Sequence, residues 1–169
     1  MAGFVTQVGE AFVGEGSEAA HVNTVLGEKG GPVENAWVTA LATPRQGHAA
    51  FLTVVQPGVA TKPATLFVNK ATLESESHSN LTWGAAQAGV AAGVAMAVID
   101  GLVDPVLVDE LLLIAAVWVS PQAKAAEAVF SNNREATLIA LAAGAGNEPR
   151  LQDFLDAAKN PRNPFFTPR

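Results

Sequence analysis

Nine consecutive apolar residues, Leu111–Val119 (LLLIAAVWV), constrain this chain more than any other feature. Asp109-Glu110 stands before the run and Ser120-Pro121 closes it. Its length and the flanking breaks suit a strand buried on both faces, although periodicity alone does not separate such a strand from a buried helix. Upstream, residues 4–13 and 20–26 read as strands separated by the turn-prone Gly14-Glu15-Gly16-Ser17. Alternation puts His21, Asn23 and Val25 on one face of the second strand and Val22, Thr24 and Leu26 on the other. Gly30-Gly31 then breaks the chain. Pro32 suits the first turn of a helix carrying Val33, Trp37 and Leu41, which Pro44 ends.

Two further strands are expected at residues 49–56 and 65–73, the latter with Leu66, Val68, Lys70 and Thr72 on one face. An Ala-rich helix follows over residues 82–100, with Gly101 suited to its C-terminal cap. Ser120-Pro121 opens another helical stretch that continues through residues 134–143. Residues 151–159 form a last short helix, and residues 160–169, with three prolines, an irregular tail. The order is ββα, ββα, β, then helices. Strand pairs grouped between helices favour a two-layer α+β sandwich over a doubly wound parallel sheet. With 169 residues and neither repeat nor linker, one domain spanning 1–169 is expected.

Composition removes several classes of function. There are no cysteines, so disulfides, thiol nucleophiles and zinc–thiolate or iron–sulfur sites are out. His21, His48 and His78 are far apart and lack metal-ligand spacing, so no metal site is expected. Ten Lys+Arg against 16 Asp+Glu give a net charge of −6 and no basic stripe for nucleic acid. The N-terminus lacks a signal-peptide pattern, and the most apolar stretch, residues 84–99, falls short of the ~20 residues of a membrane span. A cytoplasmic protein is expected.

Few polar residues stand where apolar ones belong. His21 lies inside an otherwise apolar strand, Lys70 sits mid-strand, and Gln87 interrupts a helix of alanines and glycines. Each has a structural role available: a hydrogen-bonded core histidine, an edge lysine, a paired buried amide. Gly89 and Gly93 form a GxxxG pair that reads as close helix packing. His48 and His78 read as surface or capping residues, and Trp37, Trp83 and Trp118 as core aromatics able to stack on a ring. No phosphate loop or dinucleotide turn is present.

Several strings in order carry a family likeness. VGEAFVGEGSEAAHVNTVLGEKGGPVENAW, Gly47-His48, KPATLFVNKATL, WGAAQAGVAAGVAMAV, NNREAT and NPFF together resemble the formaldehyde-activating enzyme family over nearly the whole chain. The resemblance implies an α+β subunit related to the second domain of a small-subunit ribosomal protein, assembled as a homopentamer. It implies condensation of formaldehyde with tetrahydromethanopterin to the methylene carrier and water, without metal or redox cofactor, in one-carbon metabolism, methylotrophy and formaldehyde detoxification. The family's proton donor falls on His21, and its carrier contacts fall on Leu52, Lys70, Thr72 and Gln87. One further contact, an aspartate in the family pattern, is Asn23 here. Two alternatives stand beside this reading: a non-catalytic paralogue binding a reduced pterin or formaldehyde for sensing or delivery, and catalysis on another reduced pterin or folate.

Overall fold

The structure, a computed structural model, describes residues 4–168. Both ends of the expected 1–169 domain, including the last residue of the tail, lie outside the described residues. Five strands form a mixed sheet in the order β1-β2-β7-β6-β3: β1 Gln7–Val13, β2 Ala20–Glu28, β7 Leu111–Val119, β6 Ala64–Asn69 and β3 Phe51–Leu52. β7, the continuous apolar run, takes the central position, antiparallel to β2 and parallel to β6. β4 Val54–Gln56 and β5 Val59–Ala60 make a separate hairpin. The helices are α1 Pro32–Ala42, α2 Glu76–Asn80, α3 Gln87–Ile99, α4 Ala126–Gly146 and α5 Leu151–Ala157. A wide-turned segment, Leu81–Ala86, joins α2 to α3.

Alternation in β2 and β7 decides which side is core. Ala20, Val22, Thr24 and Leu26 are buried, as are Leu111, Leu113, Ala115, Val117 and Val119. This face meets α3 and α4. Full burial of a Leu or Val side chain stabilises by ~1.5–3 kcal/mol, so this alternating set supplies much of the fold's driving force. Small residues set the layer spacing. A Cβ on Gly89 would lie 2.4 Å from the Phe130 carbonyl oxygen, and one on Gly93 would lie 2.6 Å from that of Arg134. The GxxxG pair is thus the seam between α3 and α4.

The opposite face is covered only in part: α1 lies over one end, and Phe165 of the C-terminal tail packs on Phe12 and Trp118 at the other. In α1 the Val33 side chain lies against Gly27, and the Trp37 indole N–H donates to the Leu113 carbonyl at 3.1 Å. The two principal layers therefore carry a partial third, which the two-layer expectation lacked. Between α1 and Phe165, around His21 and Glu10, this second face is open.

Four segments depart from the sequence reading. The strand expected over 49–56 is split at Thr53, whose N–H donates to Thr65 while its carbonyl accepts from Thr61. The chain changes partner there, leaving β6 for β5. The strand expected over 65–73 ends at Asn69, whose side-chain amide donates to the Gly47 and Ala71 carbonyls and turns the backbone. Lys70 therefore follows the strand, and Thr72 lies outside it. The Ala-rich helix begins at Glu76 rather than 82, because Ser75 caps it by accepting from the His78 N–H at 3.1 Å. From Glu76 to Ile99 it is 24 residues, long and apolar enough by length and composition to cross a membrane; half of its apolar window is packed in the core. The stretch opened by Ser120 is first a turn, in which Ser120 Oγ accepts from the Gln122 N–H, and becomes helical at Ala126. Gly101 ends α3 with φ +74°, as its position suggests.

Candidate active site

Antiparallel register assembles the open face. His21 stands opposite Phe12 of β1 and Trp118 of β7, and Asn23 stands opposite Glu10 and Ala116. The diagonal reach between neighbouring strands lets Glu10 Oε1 meet His21 Nε2 at 2.9 Å. The pair is partly solvated: the His21 side chain is 34% exposed and that of Glu10 59%. Nε2 therefore carries a hydrogen donated to Glu10, and Nδ1 is the ring nitrogen not engaged by it. From beyond the end of β6, the Lys70 ammonium donates to Asn23 Oδ1. His21, Asn23 and Lys70 thus come together within one chain, and Glu10 joins them.

The remaining sequence-derived positions are paired with other residues. Thr72 is exposed, and its hydroxyl lies 3.0 Å from His48 Nε2. The other nitrogen of His48 donates to the Asn69 carbonyl at 3.0 Å, so Nε2 accepts the Thr72 hydrogen and leaves its oxygen an acceptor. His48 is a half-buried support for Thr72 rather than a surface residue. His78 is 1% exposed and donates from Nε2 to the Val119 carbonyl, so it ties α2 to β7 instead of capping at the surface. Leu52 lies on β3, paired with Leu66. Three strand spacings separate β3 from β2, roughly 14 Å. Gln87 is buried at the start of α3, and its amide oxygen accepts from the Val54 N–H at 2.8 Å. Leu52 and Gln87 form a second cluster around β3 and β4, apart from His21.

Past His21 the face becomes aromatic. Phe12 and His21 have ring centroids 5.9 Å apart. Phe165 of the C-terminal tail is edge-on to Phe12 at 6.5 Å and to Trp118 at 5.6 Å. A cavity of about 520 Å³ opens between these rings, the Gly14–Ser17 turn, Ser120 and Gln122. Ser17 and the Lys124 N–H donate to the Glu18 carboxylate at 2.6 and 3.1 Å and hold its pKa below the ordinary value of 4.5. This carboxylate ties the β1–β2 turn to the segment after β7. Glu10, Phe12 and Phe165 escaped the sequence reading; for Glu10 the available signal was its place two residues before the partner of His21.

A mixed α+β chain bearing a histidine–carboxylate pair and a neighbouring lysine on an open sheet face carries the donor set of an acid-base site. The chain is a member of the formaldehyde-activating enzyme family, whose profile matches residues 8–166. The 5,6,7,8-tetrahydromethanopterin hydro-lyase of Methanosarcina barkeri is 39% identical over 160 residues, covering 95% of this chain and 90% of that protein. The bifunctional enzyme Fae/Hps of Methanospirillum hungatei is 40% identical over 134 residues, 79% of this chain and 34% of the relative. That of M. barkeri is 35% identical over 150 residues, 89% and 38% respectively. The chain therefore spans little more than a third of the bifunctional relatives.

Proposed function

We propose that the protein condenses formaldehyde with tetrahydromethanopterin to give methylene-tetrahydromethanopterin and water. The observation that carries this reading is the half-exposed His21, held through Nε2 by Glu10 on an open face beside Lys70 and Asn23. An amine of the carrier adds to formaldehyde to give a carbinolamine, whose hydroxide leaves poorly. Protonated His21 keeps Nε2–H on Glu10 and gives the Nδ1 proton to the carbinolamine oxygen. The C–O bond breaks with its electron pair going to oxygen, and water departs. The nitrogen lone pair forms the C=N⁺ bond. The second amine attacks that carbon, and the proton it sheds restores His21. Such acid catalysis contributes ~10²–10⁴-fold. Lys70, Asn23 and the Thr72 oxygen supply donors and acceptors for the polar edge of the pterin, whose orientation adds a proximity effect.

The test is a coupled assay of methylene-carrier formation, corrected for the spontaneous reaction, on wild type and His21→Ala. A loss of at least ~10²-fold in the enzymatic rate is expected of a missing general acid. An unchanged rate would remove His21 from the reaction, and a wild-type rate equal to background would remove the reaction itself.

The subunit is further proposed to be a cytoplasmic, single-domain relative of the ribosomal-protein second domain that associates as a homopentamer. The parallel β6–β7 pair joined through α2 and α3 and the continuous core support the fold relation. The segment from Leu81 to Ile99 carries no charge, and Trp83, Ala88, Met96 and Ile99 are exposed along it, which supports association through α3. Light scattering returning 17.4 kDa at micromolar concentration would refute association.

A further inference from the structure

We propose that Lys70 of the free protein takes up formaldehyde covalently, as a methylene iminium on Nζ, and hands that carbon to the carrier when the carrier binds. This rests on the condensation reading above and adds a loading step ahead of it. Formaldehyde is a small electrophilic carbonyl, and a lysine amine in its neutral form is the side chain that makes Schiff bases with carbonyl substrates.

Register brings the amine to the histidine. Asn69 is paired with Val117, so Lys70 follows at the level of Trp118, which stands opposite His21. From there its side chain leans back across β7 to Asn23. The β7 residue in register with Asn23 is Ala116, whose methyl group leaves that crossing clear. His21 and Asn23 share one side of β2 two positions apart, roughly 7 Å along the strand. A carbon and an oxygen added to Nζ make a bridge of the size this span admits, toward the ring nitrogen that Glu10 leaves unengaged.

Its partner sets this lysine apart. Lys62 and Lys159 are held by the carboxylates of Asp109 and Asp156 at 2.6 Å, and Lys29 donates to the Asp109 carbonyl. Lys70 donates instead to an amide oxygen. Glu10, the carboxylate in register with Asn23, stands on the far side of β2 and is engaged with His21. A carboxylate partner favours the ammonium form of a lysine. An uncharged amide oxygen accepts from –NH₂ as it does from –NH₃⁺, so the contact survives loss of the proton and leaves the nitrogen lone pair free.

The steps balance. The Lys70 lone pair forms an N–C bond to formaldehyde, the C=O π pair moves to oxygen, and a proton passes from nitrogen to oxygen to give a carbinolamine. Protonated His21 gives its Nδ1 proton to that hydroxyl. The C–O bond breaks with its pair, water leaves, and the nitrogen lone pair forms C=N⁺. A carrier amine then adds to the methylene carbon and passes its proton to Nζ. The bond from Nζ to that carbon breaks with its pair going to Nζ, and the carrier nitrogen forms C=N⁺. The second carrier amine closes the ring and returns a proton to His21.

Sodium cyanoborohydride reduces such an iminium in place to an N-methyl group. With the full chain and stoichiometric formaldehyde, peptide mass mapping is expected to find Lys70 methylated at least about tenfold faster than Lys124, an exposed lysine outside the site; a fully positioned acid contributes ~10²–10⁴-fold. Asn23→Asp, which recharges the partner, and His21→Ala, which removes the acid, are each expected to abolish most of that excess. Isotope partitioning reads the hand-over. Protein loaded with isotopically labelled formaldehyde is mixed with tetrahydromethanopterin and excess unlabelled formaldehyde, and methylene carrier from the first turnover is expected to be mainly labelled. Lys70→Arg, which keeps a cation and donors toward Asn23, is expected to give product with the isotope ratio of the mixed pool. Lys70 methylated no faster than Lys124, or an excess kept by both variants, overturns the loading site. Wild-type product of pool composition, or labelled product from Lys70→Arg, overturns the hand-over. The condensation reading is decided separately, by the coupled assay.

Discussion

Asn23→Asp tests how far the polar half of the site is matched to its ligand. In the free protein Asn23 Oδ1 accepts from the Lys70 ammonium, and Glu10 lies directly opposite on β1. A carboxylate at position 23 turns the first contact into an ion pair, worth about 0–1 kcal/mol at a partly solvated site. It also sets two carboxylates face to face across the strands, which costs about 0.2–1 kcal/mol. These nearly cancel, so the melting temperature should hardly move. The ligand sees a different balance. A neutral hydrogen bond contributes about 0.5–1.5 kcal/mol and one to a charged group about 1.5–3 kcal/mol, so each pterin N–H facing residue 23 gains about 1 kcal/mol. The variant also loses an NH₂ group that would confront a donor edge. Tetrahydromethanopterin is therefore expected to bind Asn23→Asp about fivefold more tightly, since 1.4 kcal/mol is tenfold. Anaerobic titration of both proteins reads this directly. Equal or weaker binding by the variant would refute the reasoning and mean that Asn23 presents its NH₂ to an acceptor on the ligand.

Glu10→Gln should lower the enzymatic rate about tenfold in the coupled assay, yet cost nothing further in a His21→Ala background, because Glu10 acts through the histidine. An added loss in the double variant would place Glu10 on the substrate itself. Gly9→Ala would put a Cβ 1.7 Å from the Ala140 carbonyl oxygen, so β1 and α4 must part by more than an ångström. The penalty should exceed the ~1–3 kcal/mol of ordinary overpacking. At ~2–4 °C per kcal/mol for a chain of this size, calorimetry should show a melting point lower by about 6 °C or more. Glu18 supplies a pH test. Its folded pKa lies below 4.5, so its stabilising contribution is complete above 4.5 and disappears as pH falls through the folded value. Thermal melts at stepwise lower pH should show Glu18→Gln lacking that part of the acid decline; parallel curves would argue against the clamp.

The strand faces were legible because alternation is a local property. His21 and Asn23 share a side, Val22 and Leu26 the other, and the uniform apolarity of Leu111–Val119 marked it as interior. Gly89 and Gly93 gave the helix seam for the same reason: only missing side chains admit another backbone so close. What local pattern cannot carry is register and partner exchange. Nothing in residues 49–56 says that Thr53 bonds forward to Thr65 and onward to Thr61, and nothing near Lys70 says that Asn69 ends the strand with its own side chain. Glu10 drew no reading until the register of β1 with β2 put it within reach of His21. Phe165 had no periodicity to betray it. NPFF marked its tail as part of the family likeness, but only the rings it meets show where Phe165 packs.

The strand at the centre of the sheet is also the last of its strands along the chain. As the polypeptide leaves the ribosome, β2 and β6 are complete long before β7, yet each lacks the neighbour that fills its inner edge. Until residue 119 has emerged, the nascent chain holds a β1–β2 hairpin and a β3–β6 pair with no strand to join them. Assembly is therefore a closing event rather than a gradual one, and β7 is its keystone. Glu10 and His21 come from the early half of the chain, while Trp118 and Phe165 arrive with or after that keystone. Fragments ending before β7 should expose two unpaired apolar edges and aggregate instead of retaining a partial site.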